Sequence, residues 1–119
     1  MKIALTTSGE NLEAPLDRRF GRAARFLLYD LKNRTFELID NAQNLNAAQG
    51  AGIQAAETIV RAGADAVVSG HCGPKAFRVL QAAGVAIYNC EAATIAEALE
   101  LLKDGKLQPA AAADVEGHW

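Results

Sequence analysis

The chain has 119 residues, half of them apolar and 22% charged, which suits one soluble domain with one core. A net charge of −2 argues against a nucleic-acid partner, and the lack of a long apolar run argues against a membrane partner or a signal peptide. Two cysteines fit a reducing compartment better than a disulfide scaffold, so a cytoplasmic location is expected.

The pattern Lys2-Ile3-Ala4-Leu5-Thr6-Thr7-Ser8 predicts a first strand that ends at Gly9. A loop with Pro15 follows. Asp17-Arg18-Arg19-Phe20-Gly21-Arg22 then groups three arginines around a Phe and a Gly. Residues 24–31 are apolar and β-prone and predict an internal second strand. Lys32-Asn33-Arg34 is a polar turn, and residues 35–40 alternate as a third strand that closes a hairpin. Residues 41–52, rich in Asn, Gln and Gly, read as a loop. Ile53, Ala56, Ile59 and Val60 then share one helical face, with Gly63 as the stop.

Ala66 to Ser69 reads as a buried fourth strand. A helix over residues 74–83 follows, with Gly73 as N-cap and Pro74 at the first helical position, where its missing N–H costs nothing. Residues 85–88 read as a fifth strand. Thr94 and Glu97 form a capping box for a last helix, and Gly105 ends it. Residues 1–108 are expected to form the domain and residues 109–119 a flexible tail.

This order, β-β-β-α-β-α-β-α, predicts an α/β fold with a mixed five-stranded sheet in the order 3-2-1-4-5, flanked by helices, as in ribonuclease H-like folds. Strand two would run against the other four. One rim of the sheet would then collect Thr7 to Gly9, the arginine cluster, the Asn/Gln/Gly loop, His71-Cys72-Gly73 and Asn89-Cys90-Glu91. Open α/β sheets bind ligands outside the carboxyl ends of their strands.

At that rim, Gly70-His71-Cys72-Gly73-Pro74-Lys75 places a thiol and an imidazole beside a helix N-terminus, which favours anions and lowers a nearby thiol pKa. Lys75 opposes the helix dipole, and an anionic ligand would offset that. Each residue has a plainer reading. Cys72 and Cys90 fit a core as well as a site; if both serve the site, their sulfurs lie close together. His71 fits a capping role, and Arg18, Arg19, Arg22 and Arg25 fit a solvated face.

Cys-x17-Cys with one adjacent His is poor zinc spacing. Gly50-Ala51-Gly52 matches the letters of a dinucleotide motif, but a long polar loop precedes it, so such a site is rejected; the glycines start a helix or admit a ligand. No nucleophile elbow, metalloprotease helix or phosphate loop occurs. The first strand carries no acid, so two-metal nuclease chemistry is not expected.

Met1-Lys2-Ile3-Ala4, Asp17 to Ala23, Gly50-Ala51-Gly52, Ser69 to Phe77 and Gly84 to Tyr88 together resemble the dinitrogenase iron-molybdenum cofactor biosynthesis family. The resemblance extends to about Leu107. It implies a ribonuclease H-like fold without enzymatic activity, and a carrier of a molybdenum-containing sulfide cluster of the Mo–Cu or Fe–Mo type, with a protein partner for delivery. It implies that Arg19, Phe20, Gly21, Gly50, Gly52 and Gly70 to Pro74 line the cluster site. Gln49 stands where many members carry a His, which leaves that loop without the family's side-chain donor.

Bulky sulfido anions suit arginines, Arg22 and Lys75 among them, and helix N-terminal amides. Ligation by Cys72, with His71 beside it, is the metal-bonded alternative. The competing reading is a module on the same fold that binds a phosphate-bearing ligand or a protein.

Overall fold

The computed structural model describes residues 1–21, 23–41 and 51–109. Arg22, residues 42–50, which include Gly50, and residues 110–119 of the tail lie outside the described residues.

Five strands, β1 (Lys2–Thr7), β2 (Arg25–Asp30), β3 (Thr35–Asp40), β4 (Ala66–Ser69) and β5 (Ala86–Asn89), form one sheet in the order β3-β2-β1-β4-β5. β2 is antiparallel to β1 and β3; β4 is parallel to β1 and to β5. The expected order and directions are both present. Of the three described helices, α1 (Ala51–Arg61) connects β3 to β4, α2 (Pro74–Ala82) connects β4 to β5, and α3 (Ile95–Lys103) follows β5.

Side chains alternate across the strands, so the sheet buries two separate layers. Ala4, Phe26, Leu28 and Val67 meet Ile59 of α1 and Phe77 and Leu80 of α2. Ile3, Leu5, Leu27 and Val68 meet Ile95, Ala98 and Leu99 of α3.

The boundaries differ from expectation where local hydrogen bonds claim a residue. β1 stops at Thr7, because its Oγ1 accepts from the N–H of Gly9 (3.0 Å) and donates to the carbonyl of Pro15 (2.8 Å), which starts a turn. β5 begins one residue late. Val85 donates to Leu80 (2.9 Å) across Gly84, whose φ of 79° closes the end of α2. α1 begins at Ala51, two residues before its apolar stripe. Gly52 is therefore a buried first-turn residue of a helix and not part of the preceding loop.

The caps of the other helices follow the sequence reading. Gly73 is the extended N-cap of α2, with Pro74 next. Thr94 caps α3 by accepting from the N–H of Glu97 (3.2 Å), while Glu97 reaches back to the N–H of Ala93 (3.3 Å). No helix among the described residues is long and apolar enough to cross a membrane.

Candidate functional site

The carboxyl ends of β1, β4 and β5 share one rim, and residues 17–20 are pinned across it. Asp17 donates its N–H to the carbonyl of Thr6 (2.8 Å), and Thr6 Oγ1 donates back to the carbonyl of Asp17 (2.8 Å). Phe20 donates its N–H to the carbonyl of His71 (3.1 Å), and Arg19 and His71 form a parallel bridge. A Cβ built on Gly70 would lie 2.6 Å from Arg18 Cα, so the two backbones touch. The carboxylate of Asp17 accepts from the N–H of Arg19 (2.9 Å) and tightens the turn.

The Phe20 ring is fully buried, 5.5 Å from Phe26 centroid to centroid, and Gly21 is buried beside it. Phe20 thus anchors the segment from within the core. Arg18 and Arg19 are left exposed on the rim. Arg25 is spent elsewhere, on the carbonyl of Gly9 (3.4 Å) and the carboxylate of Glu10 (3.3 Å).

A second set of bonds ties residues 12–16 to the turn after β5. Leu16 donates to Ala93 (3.2 Å), Ile95 to Ala14 (2.9 Å) and Ala96 to Leu12 (2.8 Å). Cys90 donates its N–H to Ser69 (2.9 Å) and so holds that turn against β4. Between the two sets lies a cleft of about 440 Å³. Leu16 and Arg18 form one wall, Gly70 and His71 the floor at the end of β4, and Cys90 to Ala93 the other wall.

Of the expected site residues, the structure brings Arg19, Phe20, Gly21, Gly70 and His71 together. Gly73, Pro74 and the exposed Lys75 follow at the start of α2. Cys72 is 1% exposed, and its Sγ faces the carbonyl of Gly73 at 3.7 Å, within the layer under α1 and α2. Cys90 belongs to the other layer, under α3. The expected closeness of the two sulfurs is therefore corrected: the sheet separates them, because they follow neighbouring strands into turns of opposite facing.

Cys90, not Cys72, borders the cleft. Its place after β5 put it at this rim, but an isolated Cys in an apolar context gives no sign of which way it faces. Glu91, Ala92 and Ala93 carry no chemical motif, and the cleft claims them only through the hydrogen bonds of their turn. Among the described residues, no three His, Cys, Asp or Glu side chains cluster closely enough to hold a bare metal ion.

Burial pushes the Cys90 thiol above its ordinary value of 9.0; Glu97 and Glu91 add to that, and the N–H of Ala92 on Sγ (3.4 Å) works against it. A thiol whose folded pKa is raised holds its proton better when folded. Its contribution to stability is complete below about pH 9 and is lost as pH rises further. The melting temperature should fall more steeply above pH 9 in the native chain than in Cys90→Ala, as read by thermal unfolding from pH 7.5 to 10.5. Parallel curves would place the thiol in solvent.

These features mark a small α/β protein with a cleft at the carboxyl rim of a mixed sheet. Residues 1–105 match the family model described as "Dinitrogenase iron-molybdenum cofactor", and the chain belongs to that family. It is similar to the orange protein of Desulfovibrio gigas, whose apo structure superposes with a TM-score of 0.93 at 37% identity over 96% of each chain. A Thermotoga structure described as NifB-like, of the DUF35 family, gives 0.85 at 29% identity over 98% of each chain. An uncharacterised protein of Methanocaldococcus jannaschii, MJ0580, is 31% identical over 111 residues, 91% of this chain and 90% of its own.

Proposed function

We propose that the protein is a non-enzymatic carrier of an anionic molybdenum-containing sulfide cluster, of the Mo–Cu or Fe–Mo type, acting in the cytoplasm and passing its cargo to a protein partner. Residues 1–108 are the cluster-binding domain and residues 109–119 its tail. The fold is read as ribonuclease H-like, used here without nuclease chemistry, since β1 carries no acid.

One observation carries the reading. The arginine-bearing segment is pinned by its backbone against the end of β4, so Arg18, Arg19 and His71 share one rim with a cleft of about 440 Å³. That volume is in the range of small-ligand sites. A soft polyanion is held there by charge and N–H donors, with no metal–protein bond required. The buried Cys72 and the absence of a three-ligand cluster among the described residues favour electrostatic holding over thiolate ligation.

Reconstitution with tetrathiomolybdate and copper tests this. The protein should keep a visible charge-transfer band through desalting, and Cys72→Ser should keep it equally. A colourless protein after desalting overturns the carrier reading.

A further inference from the structure

The sheet has two edges, and they are not alike. β5 is four residues long, and Pro109 already bridges Tyr88 on its outer side. β3 is six residues long, with no proline, and among the described residues pairs only with β2. Edge strands of this kind are normally blunted by proline, bulges or dense charge. Phe36 and Leu38 are instead 40% and 41% exposed.

The backbone phase of this edge follows from the bonds that frame it. Asn41 donates to Ala24 (3.0 Å), directly opposite in the β2–β3 register. Hydrogen-bonded and non-bonded pairs alternate along an antiparallel ladder. Ile39, Glu37 and Thr35 therefore turn their amides towards β2, while Phe36, Leu38 and Asp40 turn theirs outward. The Phe36 and Leu38 side chains lie on the α3 side of the sheet, beside Tyr29 and Leu27.

Charge selects the occupant. Lys32 and Arg34 stand at one end of this edge and Asp40 at the other. An antiparallel copy of the same strand sets each basic end against an acidic one, and a parallel copy does not.

We propose that β3 pairs with β3 of a second copy of this chain, antiparallel, about a two-fold axis through Glu37, giving one continuous ten-stranded sheet. In that register Phe36 and Leu38 of opposite copies exchange hydrogen bonds and pack on one face, and Arg34 approaches Asp40. The two Glu37 carboxylates meet at the axis and weaken the pair. The six-residue edge covers less than the roughly 800 Å² per partner of a standard interface, so the dimer is expected to be weak and concentration-dependent.

Sedimentation equilibrium of the full chain, from about 10 µM to 1 mM, tests this. A dimer fraction that grows with concentration is expected. Glu37→Gln should tighten it about two- to fivefold, and Leu38→Lys, at an exposed position, should weaken it at least about tenfold. Non-bonded antiparallel pairs bring Cα atoms to about 4.5 Å, a disulfide distance. Glu37→Cys should thus cross-link between copies under oxidised glutathione, while Thr35→Cys should not; the native cysteines are buried. A monomer at about 1 mM, a dimer indifferent to Leu38→Lys, or equal cross-linking of both cysteine variants would each overturn the proposal.

Discussion

Replacing Gly70 with alanine is expected to cost about 3 kcal/mol of stability, the upper part of the range for overpacking, and to lower the melting temperature by about 10 °C. The added Cβ would meet Arg18 Cα at 2.6 Å, its carbonyl oxygen at 2.8 Å and its carbonyl carbon at 3.1 Å. All three are backbone atoms and cannot rotate away as a side-chain tip would. The neighbouring segment cannot swing clear either, because Asp17 is bonded to Thr6 and Phe20 is bonded to His71 with its ring in the core. Relief must come from moving the end of β4 or releasing residues 17–20.

In either case Arg18 and His71 part, so cargo retention should fall with stability. Urea unfolding measures the first effect, and the visible band after desalting measures the second. Native stability in Gly70→Ala would mean that the arginine segment does not rest on the end of β4.

The strand order was legible because the segments are cleanly punctuated. Short β-prone runs with no helical stripe precede residue 41, and after it short apolar strands alternate with helical stripes closed by Gly63, Gly84 and Gly105. Each of those three glycines has a positive φ at a helix end, where other residues are strained. The rim was legible for the same reason: once β1, β4 and β5 are parallel, the residues after them must converge.

Side-chain facing was not legible. Cys72 and Cys90 each follow a strand within the same parallel pair, and nothing in the letters shows that one turns under α2 and the other under α3. Asn41 looks like the start of a polar loop, yet it is 1% exposed, because its Nδ2 donates to the carbonyl of Ala23 (2.8 Å) and fastens the start of β2. A buried polar anchor of this kind depends on a partner 18 residues away, which local pattern cannot supply.

Neutralising Arg18 and Arg19 together, as Arg18→Gln with Arg19→Gln, should weaken cargo binding about 100-fold at low salt while leaving stability almost unchanged. Both side chains are exposed and stand on a backbone held by other groups. At about 6 Å and an effective dielectric of about 40, one unit charge pair is worth about 1.4 kcal/mol, or about tenfold in affinity. Two such losses multiply, and a cargo with more than one negative charge raises the figure.

Three comparisons give the result its meaning. Raising the salt to about 0.5 M should shrink the gap between native and double variant, since screening acts on the same attraction. Arg25→Gln should matter less, because that guanidinium already faces Glu10 at 3.3 Å. Arg61→Gln, in the last turn of α1, should not matter at all. Titration with tetrathiomolybdate and copper, followed by absorbance, reads the native chain and all three variants on one scale. If the double variant holds its cargo as tightly as the native chain, long-range charge at this rim is not what grips it, and the grip must reside in donors that the substitutions leave in place: the amides of the Gly70-to-Pro74 turn or the Cys90 thiol.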